Sequence, residues 1–342
     1  MNTPLLSICI ATFRRGAFIG QTLESIIGQL DDRVELVVLD GASPDDTAQV
    51  VGRYARFCPQ LRYQREDSNS GVDADYDKAV RMARGRYCWL MTDDDLLVPG
   101  AVARVLAALA DSPSLVVLNA EVRSVELAEV LQPRLLAQGE DLEFAPGNDA
   151  KVFTALAAHL KFIGAVVIDR SLWLSREREP YYGSLFIHVG VIFQAPLPGV
   201  VRVLAEPVMW IRYGNAMWSS RGFEIWMYLW PRLVWSFSGF TNEQKARVCA
   251  REPWRKPAKL GVQRALGGFS RADYRRIFDG TSAGPTRLAA WLVSGLPPRL
   301  ANALASLACL AIPRQSRMNL YDLSRNPNAS GVSRWVARLL GV

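Results

Sequence analysis

The sequence predicts an α/β fold, a parallel sheet covered by helices on both faces, followed by a mainly helical, basic region. Three observations carry this. Short apolar runs alternate with amphipathic ones over the first hundred residues, each apolar run ends in a polar cluster, and charge and tryptophan are segregated along the chain. Strand and helix in alternation, with a polar turn after each strand, is the pattern of a parallel sheet. Such sheets bind ligands at the carboxyl ends of their strands.

Leu5–Thr12 is a near-continuous apolar run and reads as a buried strand. A helix is expected over Ala17–Leu30, with Phe18, Ile19, Leu23, Ile26, Ile27 and Leu30 on one face. Val34–Leu39 is the second strand and ends at Asp40-Gly41-Ala42-Ser43. Ser43 is placed to cap the next helix, with Pro44 at its first position and Asp45-Asp46 in its first turn. Leu61–Arg65 is a weaker third strand, Val72–Arg84 a helix, and Tyr87–Thr92 a fourth strand that runs directly into Asp93-Asp94-Asp95. Three adjacent carboxylates repel one another and call for counter-charge, for which a divalent metal carrying a phosphate is one source. The plainer alternative is a solvated loop with Asp as a helix N-cap. The clusters Thr12–Arg15, Asp40–Ser43 and Asp93–Asp95 share one position, the carboxyl ends of strands. Neither G-x-G-x-x-G nor G-x-x-x-x-G-K-[ST] is present, which removes the main support for dinucleotide and P-loop readings.

The chain has 342 residues, half of them hydrophobic, and a net charge of +7. Residues 1–220 carry 21 Lys and Arg against 27 Asp and Glu, and residues 221–342 carry 19 against 6. Two domains are therefore expected, residues 1–220 and 221–342, with surfaces suited to different partners. Five scattered cysteines, with Cys9 and Cys88 inside apolar strands, read as buried hydrophobes in a reducing compartment rather than as a disulfide frame or zinc site. Met1-Asn2-Thr3-Pro4 shows no signal-peptide pattern, so a cytoplasmic location is expected.

These residues resemble family 2 glycosyltransferases with the GT-A (Rossmann-like) nucleotide-sugar fold. The resemblance rests on Ser7–Arg14, Val37–Ser43, Asn69-Ser70-Gly71, and Gly85–Leu90 leading into Asp93–Asp95, in the family's order and spacing. Gly71–Val80 and the run to Leu97 resemble the abequosyltransferase-like branch, which adds sugars during bacterial surface polysaccharide assembly. The resemblance implies metal-dependent transfer from a nucleotide-diphosphate sugar to a hydroxyl of a lipid-linked glycan. It matches Asp93–Asp95 to the family's D-x-D, with Asp95 and Asp93 as ligands of Mn²⁺ or Mg²⁺ and Asp93 and Asp94 beside ribose and phosphate. Asp40 matches the position that binds base or ribose, and Thr12 and Phe13 the wall beside the base. Arg14 and Arg15 can contact phosphate or form a solvated turn. Asp73 can reach the nucleotide or simply complement a helix N-terminus. A sugar nucleotidyltransferase and a non-catalytic nucleotide-sugar scaffold remain as alternatives.

The sequence departs from the family at the catalytic base, for no Glu-Asp pair lies in 164–199. His188, one of two histidines, is the candidate there for base or further metal ligand, with a structural, backbone-bonded histidine as the alternative. Arg212, after a strand expected at Val208–Ile211, is placed to hold the leaving diphosphate, and Asn215 and Trp218 to line the acceptor side; an ordinary turn is the alternative.

Eight of ten tryptophans lie from Trp210 onward, and Pro231 interrupts an aromatic run at Phe223–Phe240. Thr286–Leu296 and Leu300–Ile312 are apolar but shorter than the roughly 20 residues a spanning helix needs. Trp and Arg beside short apolar helices suit an interfacial segment on an anionic cytoplasmic leaflet, where each basic group adds about 1 kcal/mol. A helical subdomain that buries its own Trp, and a nucleic-acid surface, are the alternatives. The acidic front and the lack of a recognisable module speak against nucleic acid.

Overall fold

The computed structural model describes residues 3–218, 221–278, 284–310 and 316–342. Met1 and Asn2 of the N-terminal segment, and the end of the apolar run at Ala311-Ile312, lie outside them. Two compact units are present: residues 1–123, 133–212 and 233–248, and residues 124–132, 213–232 and 249–342. The compositional boundary near residue 220 falls within the second unit's 213–232 segment.

The strands are β1 (Leu6–Thr12), β2 (Val34–Asp40), β3 (Leu61–Arg65), β4 (Tyr87–Met91), β5 (Leu96–Leu97), β6 (Leu115–Arg123), β7 (Val130–Gln132), β8 (Leu142–Phe144), β9 (Val166–Asp169) and β10 (Val201–Arg212). The first helices are α1 (Gly16–Ile27), α2 (Thr47–Ala55), α3 (Val72–Met82), α4 (Ala101–Ala108), α5 (Asp149–Leu156), α6 (Arg170–Ser175) and α7 (Ile187–Phe193). The main sheet runs β3-β2-β1-β4-β9-β6-β10-β5. Its first four strands are parallel, as the alternation predicts. The remainder is mixed, because β9 runs antiparallel to both β4 and β6.

Every residue of β1 and β2 is buried, which fits a strand covered on both sides. Leu6, Ile8 and Ile10 pack with Ile19, Leu23 and Ile26 of α1 in one core, and α3 lies against the opposite side of β1 and β2. Each of these α1 side chains contributes on the order of 1.5–3 kcal/mol by leaving water. α2 begins at Thr47, and Ser43 does not cap it. The Ser43 hydroxyl accepts from Arg14 N, while Asp45 accepts from Thr47 N and from its hydroxyl. A serine that closes the turn after β1 is no longer available to a helix three residues on.

Register aligns the strand ends. Thr12 pairs with Asp40 and Asp40 with Arg65. Ile10 pairs with Met91, so Thr12 lies level with position 93. On the other side β5 pairs antiparallel with β10, Leu97 opposite Met209, which delivers Arg212 to the same edge. β10 carries an irregularity on its way there. Leu204 stands opposite Leu118 and Met209 opposite Ala120, so five steps of β10 match two of β6. The surplus backbone is satisfied locally: Asn119 Nδ2 donates to Ala205 O at 2.6 Å, and Ala205 N donates to Asp141 at 2.7 Å. Pro207 sits here, where a ladder donor is not needed.

From residue 222 the described chain is helical: α8 (Gly222–Glu224), α9 (Trp230–Ser236), α10 (Asn242–Val248), α11 (Pro257–Ala265), α12 (Arg271–Phe278), α13 (Pro285–Gly295), α14 (Pro298–Leu310), α15 (Ser316–Arg325) and α16 (Gly331–Leu339). Pro231 does not break this run. It lies within a continuous helical run, directly after a π-helical turn at Ile225–Leu229, and such a widened turn accommodates a residue that has no N–H to donate. The second unit has its own core around Phe223, Met227, Leu260, Phe269 and Phe278, with Trp226 and Trp254 packed on it. Trp291 and Trp335 remain exposed. Gly214 is in the left-handed region, φ 108°, and a Cβ there would meet the Tyr321 ring at 2.8 Å.

Next to it the Tyr213 hydroxyl donates to Asp322 at 2.6 Å, and burial, against that bond, pushes the Asp322 carboxyl up to about 6. The folded chain thus holds this proton more tightly than the unfolded one, and stability falls as pH rises from about 4 to 6. Asp322→Asn keeps an acceptor without the charge. In urea titrations it is expected to be more stable than the wild type at pH 7 by up to about 3 kcal/mol, with the difference vanishing near pH 4. A difference independent of pH would contradict this.

Candidate active site

Asp93–Asp95 follow β4 and are partly enclosed: Asp94 and Asp95 are 8% and 2% exposed. Two arginines supply counter-charge. Arg15, from the turn between β1 and α1, pairs with Asp93 at 3.3 Å and with Asp94 at 3.4 Å. Arg212 donates from Nε to Asp94 O at 2.9 Å and from its guanidinium to Gln21 at 2.6 Å, and its backbone N donates to Asp95 at 2.7 Å. The other Asp95 oxygen accepts from the Thr92 hydroxyl. Phe18 of α1 lies under both guanidiniums, 5.8 Å from Arg15 and 5.2 Å from Arg212. Burial, then the charge of Asp94, pushes Asp93 up to about 7, opposed by Arg15 and the Thr12 hydroxyl; the same two causes raise Asp95. Burial and mutual repulsion thus disfavour the charged carboxylates, and a cation placed among them would relieve both. The Asp95 oxygens are hard donors that suit Mg²⁺ or Mn²⁺. Among the described residues no group of three His, Cys, Asp or Glu side chains converges as a metal cage.

Asp40 is fully buried and accepts from Ser43 N and from the Tyr63 hydroxyl, each at 2.8 Å, with Arg65 at 3.8 Å. Gly41 follows it, and a Cβ there would lie 2.6 Å from an Asp75 oxygen, so this glycine admits the Asp75 carboxylate to the edge. Thr12 is buried, Phe13 half-buried, and Arg14 exposed with φ 58°. It is Arg15, not its neighbour, that turns inward.

The other expected residues have different partners. Asp73 accepts from Leu185 N at 2.8 Å and Ile187 N at 3.0 Å, where it completes the start of α7; burial raises its pKa against these bonds. His188 is fully buried in α7. Its Nε2 bonds to Leu160 O at 2.7 Å, its Nδ1 has no partner among the described residues, and burial lowers its pKa to about 4. Among the described residues no hydrogen bond or ion pair joins His188 to Asp93, Asp94 or Asp95. The structure thus gives His188 the backbone-bonded setting of a neutral ring. In the second unit Trp218 is 46% exposed and packs edge-on against Trp226.

Sequence reasoning passed over Asp75 and Asp77, on the same helix as Asp73. Asp77 is fully buried and accepts from Trp173 Nε1 at 2.9 Å and the Tyr182 hydroxyl at 2.8 Å, and pairs with Arg178 at 3.0 Å. The i, i+4 spacing of Asp73 and Asp77, on one helix face opposite Asp75, was the available signal.

This chain belongs to glycosyl transferase family 2, whose model matches residues 7–176. It is similar to the abequosyltransferase RfbV of Salmonella typhimurium, 22% identical over 233 residues, which are 64% of this chain and 69% of that protein. It is 31% identical to chondroitin synthase of Escherichia coli over 101 residues, 30% of this chain and 15% of that protein. In fold it is similar to residues 1–349 of S. aureus TarS, solved in complex with UDP, with a TM-score of 0.57 at 15% identity over 97% of this chain and 90% of that one.

The bonding of His188 has a measurable consequence. His188→Leu leaves the Leu160 carbonyl without its donor and is expected to cost roughly 1–3 kcal/mol in unfolding experiments. Turnover between about pH 5 and 8 should keep its profile, since the ring is already neutral there. Loss of a near-neutral limb of the rate profile would assign proton transfer to this ring.

Proposed function

We propose that the chain transfers a sugar from a nucleotide-diphosphate donor to a hydroxyl of a glycan acceptor, lipid-linked in the cell. The observation that carries this reading is the row of Thr12, Asp40 and Asp93 at one sheet edge, with Arg212 brought beside Asp95, in a family 2 chain. The likeness to an abequosyltransferase agrees with it.

In this reading Thr12, Phe13 and Asp40 receive base and ribose. Asp40 has lone pairs left after its bonds to Ser43 and Tyr63, and a carboxylate so fixed discriminates among hydroxyl and N–H donors. Asp95, with Asp93 beside it, would hold Mn²⁺ or Mg²⁺, which neutralises the leaving diphosphate. Arg212 is clamped by Asp94 and Gln21, so its charge is already positioned before substrate arrives. Arg15 shares the Asp93 and Asp94 charge, and Arg14 is exposed nearby for phosphate. Asp73 acts by holding α7 and the segment before it.

Thermal melts of the full chain with UDP, GDP, CDP or dTDP, with and without Mn²⁺, test this. One diphosphate is expected to raise the melting temperature by several degrees in the presence of Mn²⁺, as a ligand at a hundred times Kd adds about 2.7 kcal/mol. Asp95→Asn keeps a carbonyl for Arg212 N and an amide for Thr92, so it should fold. It is expected to abolish the metal-dependent shift and to lower transfer by about a hundredfold or more. No shift with any nucleotide would refute the reading.

A further inference from the structure

The outer helices of the second unit invert the usual arrangement of an amphipathic helix. On α14 the inward side is small and polar, with Ala301, Asn302 and Ser306 buried, while Leu304 and Leu307 are 52% and 45% exposed. The helix is locked this way round: Asn302 Nδ2 donates to Leu323 O at 2.8 Å, and its Oδ1 accepts from Ser330 N at 3.0 Å. Rolling α14 to bury its leucines would break both bonds and strand a buried amide. α13 repeats the pattern, with Ala290 and Ser294 inside and Leu288 and Leu292 at 60% and 54% exposure. On α16 Trp335 is 57% exposed, between Arg334 and Arg338, both also exposed. Outward apolar side chains on three helices of one unit call for a cover.

Charge selects it. Residues 284–342 contain seven Arg, no Lys and one acidic side chain, Asp322, which is bonded to Tyr213. A second copy would bring like charge onto like, whereas an anionic surface complements it. Arg271 lies over the Trp291 ring at 4.4 Å, a cation–aromatic pair of the kind that suits the level where an apolar phase meets charge. No helix among the described residues is long and apolar enough to cross a membrane, so these helices would lie on it.

We infer that α13, α14 and α16 form an interfacial surface that binds an anionic lipid leaflet. The inference uses none of the residues of the sugar-transfer reading and stands or falls separately from it. Flotation of the full chain with vesicles of phosphatidylcholine, alone or with about a third phosphatidylglycerol, tests it. Binding is expected only to the anionic vesicles, weakened by salt. Leu304→Gln with Leu307→Gln should weaken it about tenfold or more, with an unchanged melting temperature, and so should Arg334→Gln with Arg338→Gln. Failure of the wild type to float with anionic vesicles would overturn the inference, as would undiminished binding by the leucine variant. So would a solution dimer that the leucine variant dissolves.

Discussion

Carboxylates gathered at the end of a buried strand cannot stay together without counter-charge, and much of the first unit is organised to supply it. Arg15 comes from the turn after β1 and Arg212 from the end of β10, which are distant in sequence and meet only because β5 pairs with β10. Phe18 offers its ring to both guanidiniums, so the α1 core residues and the charge cluster are parts of one packing problem. Removing one partner of such a buried ion pair typically costs about 3–5 kcal/mol, more than any single apolar contact nearby. Burial and repulsion still hold Asp93 and Asp95 above the usual carboxylate range, a cost that a phosphate-bound cation would relieve.

α3 plays a second organising role. Its three aspartates point to different neighbours: Asp73 to the start of α7, Asp75 to Ser70 and the backbone at Gly41, Asp77 to Trp173, Tyr182 and Arg178. One short helix therefore fixes both the strand edge and the segment that leads into α7. This explains why a helix with such low apolar content is buried over most of its first two turns.

The parallel half of the fold was legible because its signals are local. The apolar run at Leu5–Thr12 became a strand at Leu6–Thr12, and Val72–Arg84 became a helix at Val72–Met82. Polar clusters at strand ends were legible for the same reason, since side chains and their strand are adjacent in sequence. What sequence did not disclose depends on long-range geometry: the antiparallel β9, the inward turn of Arg15 against the outward Arg14, and the capture of Ser43 by β1's turn. His188 shows the same limit. Its apolar neighbours were visible, but its bond to Leu160, twenty-eight residues earlier, was not. In the tail, composition indicated both a core and an exposed face, and the structure assigns Trp226 and Trp254 to the first and Trp291 and Trp335 to the second.

The irregularity in β10 constrains how this lineage of chains can change length. Three surplus residues lie between Leu204 and Met209 relative to β6, and an odd surplus exchanges the two faces of the strand beyond it. Losing one residue there would turn the Arg212 side chain away from Asp94 while every residue of the cluster remained in the sequence. Insertions and deletions at Ala205–Val208 should thus be far rarer among functional homologues than substitutions are, and a homologue that has one would need a compensating change before Arg212.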